Sequence, residues 1–256
     1  MYKSFIISLV LAFICFGLFG KCALQFSPVQ NPRIVGGTTN VISNTPYLVQ
    51  LRVNGEFSCG GSLVTQRHVV TAAHCTVGHN SRSIIVVGGA TYLTDTGVRR
   101  NVERIFTSSS FQARTLNMDV SVLKLSTPMT GANIKTIQLC NSNWKVGDQV
   151  TVSGWGLTTE SNKNPSNRIR TVNLPLISKK DCKSKYGSHI TVTKSMFCTL
   201  APGKDACSGD SGGPAVFKGQ LCGIVSWGAG CARKNTPGVF TSVKYVKPFI
   251  DKSIKI

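Results

Sequence analysis

The sequence lacks any apolar stretch of the roughly 20 residues that a membrane-spanning helix requires; its longest, Phe5 to Phe19, stops after fifteen residues, short of Lys21. No CxxC pair is present, which removes the usual spacing of a zinc site. No Asn-x-Ser/Thr acceptor is open either, because Asn164-Pro165-Ser166 is closed by its proline, so carbohydrate on asparagine is not expected. There is no internal repeat and no low-complexity segment. Acidic residues are scarce, 10 against 29 Lys and Arg, for a net charge of +19. That excess attracts polyanions. The bases are nevertheless scattered, with no recognition-helix or aromatic-stacking pattern among them, so no specific nucleic-acid partner is expected. The densest cluster, SKKDCKSKY at 178 to 186, reads as a solvated face. Glycosaminoglycans, acidic mucus or anionic cell surfaces remain secondary binding partners on charge alone.

What the chain does have begins with a leader. One early Lys3, the apolar run and small residues from Gly20 to Ala23 have the layout of a signal peptide, placed at residues 1–22 with an uncertain end. Nothing later is apolar for long enough to span a bilayer. The expected product is soluble and secreted. Ten cysteines fit an oxidising compartment and read as disulfides. Without Lys3, Lys21 and Arg33, the 29 bases fall by three and the charge to about +16.

Beyond the leader the chain is a succession of short apolar or alternating runs separated by turn residues, among them YLVQLRV, SIIVVGG, DVSVLKL, DQVTVSGWG and PAVFKGQLCGIVSWG. β-Branched residues dominate them, and their spacing is that of an all-β domain. Only YVKPFIDKSIKI at the end reads as a helix. Val246, Phe249, Ile250 and Ile254 share one face there, and Pro248 is tolerable only in a first turn.

Three motifs bear on chemistry. TAAHC places His74 at the end of an apolar strand, NMDVSVLKL opens an alternating strand with Asp119, and KDACSGDSGGP carries Ser211 between an aspartate and a glycine. Alone, each has a bland reading: a core histidine, a solvated charge, a surface turn. Together, a hydroxyl, an imidazole and a carboxylate are the parts of an activated nucleophile, because a serine hydroxyl is inert at neutral pH without a base within hydrogen-bond reach.

With RIVGG, VSGWG, GIVSWG and GCARKNTPGVF, these motifs run in the order of the trypsin-like branch of the chymotrypsin family of serine proteases, and the chain resembles that family from Ile34 to Ile256. The resemblance implies an all-β fold of two six-stranded antiparallel β-barrels with a short C-terminal helix. It implies a triad of His74, Asp119 and Ser211, with His before Asp before Ser as in the family. The oxyanion hole would be the amides of Gly209 and Ser211, and Ser226 would buttress the aspartate. Asp205, six residues before the nucleophile, would lie at the base of a pocket for a basic side chain, with Ala206 beside it and Gly228 and Gly238 keeping its walls open; Tyr186 would line the same region. Arg33 precedes the position where family precursors are cut. Residues 23–33 would then be a propeptide and 34–256 the protease domain, whose new Ile34 amine pairs with Asp210. An uncut chain would hold the oxyanion region disordered or misformed.

The implied disulfides are Cys59–Cys75, Cys182–Cys198 and Cys207–Cys231. Cys140 then pairs either with Cys222 or with Cys22, the latter tethering a retained propeptide. The family's calcium loop falls near GGATYLTDTGVRR, where only Asp95 offers a carboxylate, far short of the six to eight oxygens that the ion takes. Neither metal nor cofactor is expected. The expected partners are proteins or peptides cut after Arg or Lys, an activating protease, protein inhibitors and polyanions, around a monomer. A catalytically silent homologue acting as a binding module is the alternative.

Overall fold

The computed structural model describes residues 34–187 and 190–256. The expected leader, the propeptide and Arg33 lie outside the described residues, as does Cys22.

Six strands close the first barrel: β2 (Leu48–Val53), β3 (Glu56–Thr65), β4 (His68–Thr71), β5 (Ile84–Gly88), β6 (Val98–Thr107) and β7 (Ser121–Leu125), in the order β2-β3-β4-β7-β6-β5. A two-residue strand, β1 (Thr38–Thr39), precedes them, and β8 (Gln138–Leu139) follows. The second barrel is built from β9 (Gln149–Gly154), β10 (Arg170–Ile177), β11 (Met196–Thr199), β12 (Pro214–Phe217), β13 (Gln220–Trp227) and β14 (Gly238–Ser242). Its circuit runs β10-β11-β14-β13-β12-β9 and is closed by antiparallel pairing of β9 with β10. Outside the circuit, β1 pairs with β10, and β8 runs parallel to β13. These are the two six-stranded antiparallel barrels of a chymotrypsin-like fold.

Alternation accounts for the barrel interiors. Along β10 every second residue from Arg170 to Leu176 is buried, as the two-residue period of a strand with one core face requires. In β4 and β11 all four residues are buried, because neighbouring structure covers both faces. Val69, Leu123, Leu125, Val152, Leu174 and Phe240 are among the side chains of one continuous core. Edge strands are absent from both circuits, which removes the usual template for sheet aggregation.

Two expectations about helices are corrected. The cluster SKKDCKSKY is a helix, α1 (Lys179–Tyr186), rather than only a charged face. Ser178 caps it by accepting the Asp181 amide at 2.9 Å, and Cys182 with Tyr186 supply its only inward residues at i,i+4 spacing. The C-terminal helix, α2 (Val243–Ser253), starts two residues earlier than the pattern implied, so Pro248 lies in its second turn. Proline there deletes the bond to the Lys244 carbonyl. Lys244 is exposed, so water can take that carbonyl, while Val246 and Ile250 hold the helix to the core.

Four disulfides join Cys59 to Cys75, Cys140 to Cys222, Cys182 to Cys198 and Cys207 to Cys231. The second ties the end of β8 into the middle of β13 across a sequence separation of 82, the longest loop closed. Asp95 is taken up locally: its Oδ2 accepts the amides of Thr91 and Tyr92, both at 2.8 Å.

Candidate active site

Where β4 ends, the chain turns through a short 3-10 segment, Ala73–Cys75, and presents His74. Asp119 precedes β7, the antiparallel neighbour of β4, so the barrel register brings the two together. The Asp119 carboxylate is fully buried and satisfied on both oxygens. Oδ1 accepts the His74 backbone amide at 2.9 Å, while Oδ2 faces His74 Nδ1 at 2.8 Å and accepts the Ser226 hydroxyl at 2.6 Å. Its own carbonyl accepts Thr241 Oγ1 at 3.0 Å. A carboxylate can only accept, so Nδ1 carries the proton and Nε2 is left as a basic lone pair on a side chain 28% exposed.

Ser211 comes from the second barrel, in the turn before β12. Its carbonyl accepts the Gly60 amide of β3 at 2.8 Å, which ties the turn to the first barrel. Gly212 is packed so closely that a Cβ there would lie 2.2 Å from Thr71 Oγ1 and 2.6 Å from the Gly60 carbonyl. Only glycine allows the serine turn to seat at the end of β4, immediately before His74. No hydrogen bond joins Ser211 Oγ to His74 among the described residues. Such contacts are often long without substrate and close in the complex.

Gly209, at φ +92°, turns the chain so that the Asp210 amide bonds back to the Cys207 carbonyl at 2.9 Å. The amides of Gly209 and Ser211 donate to no protein acceptor among the described residues. Two adjacent free amides on a half-exposed turn are a donor pair for an oxygen arriving from outside.

Beside this turn opens a cavity of about 250 Å³, lined among others by Asp205, Ala206, Ser226, Gly228 and Gly238. Asp205 is buried at its base. Burial pushes its carboxyl up to about 6, against the pull of the Ala232 and Ala206 amides. The Cys207–Cys231 bridge ties the two walls, and the Ala232 amide next to it donates to Asp205 Oδ2 at 3.0 Å. A Cβ on Gly238 would come within 2.6 Å of Asp205 Oδ1, so any side chain there would cover the carboxylate. Tyr186 departs from expectation: it stands behind the wall, its hydroxyl bonded to the Pro237 carbonyl and its ring 5.0 Å from that of Trp227. Burial raises its phenol to about 12, so it stays a donor.

Asp210 points the other way, into the protein. It is wholly buried, its Oδ1 accepting the Gly156 amide at 2.8 Å and its Oδ2 the Cys207 amide at 3.0 Å. Burial pushes it up to about 6, with Asp205 adding to the rise. Among the described residues it has no ion-pair partner. Ile34 is 0% exposed within the core.

The sequence reading missed Glu160, which lines the cavity and holds Arg233 through Nε at 2.8 Å and a second guanidinium nitrogen. Arg233 in turn lies against Gly230, another lining residue. Nothing in TTESNKNPS marks this glutamate, because its partner is 73 residues away in sequence and the two meet only through loop folding.

A family model described as Trypsin matches residues 34–250. The chain belongs to the trypsin family. Among curated relatives, it is similar to Seminase of Drosophila melanogaster, 44% identical over 89% of this chain and 84% of the relative. It is also similar to Trypsin delta of Drosophila erecta, 39% identical over 87% and 89% of the two chains, and to Trypsin alpha of Drosophila melanogaster, 36% identical over 96% of each. This trypsin-family chain is a serine endopeptidase. Its described residues include no helix long and apolar enough to cross a membrane.

Proposed function

We propose that the protein is exported as a precursor, cut after Arg33, and then hydrolyses peptide bonds on the carboxyl side of Arg, and less well Lys. The observation that carries the specificity is Asp205, a buried carboxylate at the base of the cavity beside Ser211. An opposite charge counts for more in such a site than in water. The four disulfides fit an exported protein. An activating protease upstream and protein inhibitors downstream are the partners this role requires, and the excess of base adds anionic surfaces.

The chemistry assigns each group one task. Ser211 Oγ attacks the scissile carbonyl as its proton passes to His74 Nε2, and the charge on the carbonyl oxygen is taken by the Gly209 and Ser211 amides. Asp119 holds the imidazolium that forms. Collapse breaks the C–N bond, His74 returns the proton to the departing amine, and an acyl-enzyme remains. Water, deprotonated by the same Nε2, then releases the acid and restores Ser211. Losing one oxyanion donor in such sites costs about 3–4 kcal/mol of transition-state stabilisation.

A serine-directed phosphonate tests the reading against a silent homologue. Protein cut after Arg33 should be labelled at Ser211 and lose peptide hydrolysis in proportion; absence of label would favour the binding-module alternative. Peptide-library profiling of the same protein then reads side-chain preference. A second expectation concerns Ala206, which lines the cavity next to Asp205 without a hydroxyl. A lysine ammonium is denied a hydrogen bond there, while a guanidinium still reaches Asp205 with its planar fork. One such bond is worth about a tenfold preference for Arg over Lys in matched peptides. Ala206→Ser should narrow that ratio, mainly by improving Lys turnover.

A further inference from the structure

Away from the catalytic cavity, and sharing none of its lining, a groove of about 720 Å³ opens where four chain segments converge. The loop between β8 and β9 contributes Trp144 and Lys145, the start of α1 contributes Lys179, the loop before β11 contributes Lys194, and the first turn of α2 contributes Lys244 and Tyr245. None of the catalytic residues lines this groove, and no motif marks its lysines as neighbours.

Two of the four ammonium groups are held by hydrogen bonds, and none is neutralised by an ion pair among the described residues. Lys179 Nζ donates to the Thr193 and Lys194 carbonyls at 3.1 and 3.3 Å, and Lys244 Nζ to Asn143 Oδ1, which leaves each with spare donors. Burial, with Lys183 nearby, pulls the Lys179 ammonium below its usual range, as expected of a charge with no counter-ion. The nearby acids are engaged elsewhere: Asp148 accepts the Lys145 backbone amide at 2.9 Å, and Asp181 takes the Ser178 hydroxyl at 2.6 Å.

The aromatic part of the groove is equally specific. Trp144 is fixed by Phe197 and Phe217, at ring distances of 4.9 and 6.3 Å. Tyr245 is 49% exposed and Val146 is 63% exposed. Two aromatic side chains beside four lysines match a chain of pyranose rings that carries sulfate groups, because the C–H face of a sugar packs on an aromatic ring and sulfates spread charge along the chain. The basic residues lining the groove are all lysines, point charges that suit anionic groups spaced along a chain better than a single planar carboxylate held by a fork.

We propose that this groove is a binding site for sulfated polysaccharide chains, which would hold the protease at a glycan-rich surface with its catalytic cavity free. The proposal rests on the polyanion reading above and gives it a place. The test uses the whole chain and a size-defined heparin octasaccharide as probe. With four ammonium–sulfate contacts, raising salt from about 50 to about 200 mM weakens binding about 100-fold. Replacing Lys145, Lys179, Lys194 and Lys244 together by Ala should remove most of that salt dependence and lower affinity at the lower salt by about 100-fold. A charge-matched control with Arg82, Arg99, Arg104 and Lys163 replaced by Ala should stay within about threefold of the parent.

Unfolding midpoints of both variants check folding; if the first is unstable, the exposed single changes Lys145→Ala and Lys194→Ala should each cost about threefold. Tyr245→Ala should weaken the octasaccharide and leave linear polyphosphate, which has no rings, unchanged. Failure of the parent to bind octasaccharide at all overturns the polyanion reading itself. Equal losses in the two quadruple variants overturn the groove alone, and tighter binding of polyglutamate or anionic vesicles than of octasaccharide overturns the sugar.

Discussion

A chain carrying Arg33→Gln, verified uncut, should hydrolyse arginyl peptides about 1,000-fold more slowly than protein cut after Arg33, because the competent arrangement then lacks a buried cation. Asp210 is wholly buried and two amides do not offset its desolvation; its carboxyl is pushed up to about 6 from an ordinary 3.8. That rise alone amounts to about 3 kcal/mol against the ionised form at neutral pH. Ile34 adds to the cost: it is β-branched and held at φ +41°, in the left-handed region. Such a conformation costs about 1–3 kcal/mol, and cutting the preceding bond releases it. On the activation proposed above, the uncut chain would occupy the formed site only as a minor state, and cleavage would supply the ammonium that Asp210 lacks.

The pH dependence of stability separates the two forms. Where the uncut chain holds the formed site, Asp210 has a folded pKa above its unfolded value, so that arrangement binds the extra proton and loses stability as pH rises from about 4 to about 6. In the cut chain the amine is the group with the raised folded pKa. Its contribution is complete below the free value of about 7.7–8.0 and is lost as pH rises through the shifted one. Burial raises the Asp205 carboxyl in the same direction, to about 6, so its slope has the same sign as that of Asp210. Urea unfolding at pH 5 and pH 7.5 should therefore show a larger drop for the uncut chain. Equal hydrolysis by the two forms, or equal pH slopes, would remove Asp210 from activation.

Asp205→Asn should lower kcat/KM for arginyl peptides by about 10²–10⁴, the effect of leaving a buried guanidinium without its partner at about 3–5 kcal/mol. Asparagine keeps the volume and can still accept the Ala232 amide, so the pocket should survive while its charge is lost. The loss should appear mainly with basic side chains and spare a small ester without one. The parent enzyme should show the same dependence in its pH profile. As pH falls through about 6, Asp205 in the empty pocket takes up a proton and KM for arginyl peptides rises. That limb should vanish in the variant.

How much of this was readable beforehand differs from element to element. DVSVLKL and the runs around VSGWG and IVSWG announce strands because alternation and β-branching coincide, and their motifs carry the resemblance that implied both barrels. By contrast, β6 is masked by its outward charges Arg99, Glu103 and Arg104, and α1 by a composition with little apolar stripe, where a serine cap and two inward residues decide. Asp119, Asp205 and Asp210 could be nominated from motif order, but only coordinates give their separate surroundings: one pinned by histidine and serine, one facing a cavity, one facing the core. Glu160 and Arg233 left no trace, since a surface pair between loops has no period and no local partner. The lysine groove is the same kind of feature, four residues scattered over 100 positions and gathered by topology.

The interior placement of Asp119, Asp205 and Asp210 has a consequence for how substrate arrives. Three of the chain's 10 acids are withdrawn from solvent, so few remain to offset the surface lysines and arginines. The far field is therefore repulsive to the cationic side chain that the cavity is proposed to select. Beyond a Debye length, about 8 Å in physiological salt, a free arginyl peptide gains nothing from Asp205 and meets only the screened positive surface. An arginine displayed on an acidic protein instead meets net attraction as the two surfaces come within that screened range. Encounter rate thus favours basic sites set in acidic surroundings, a selectivity exerted before any subsite is touched and one that fades as ionic strength rises.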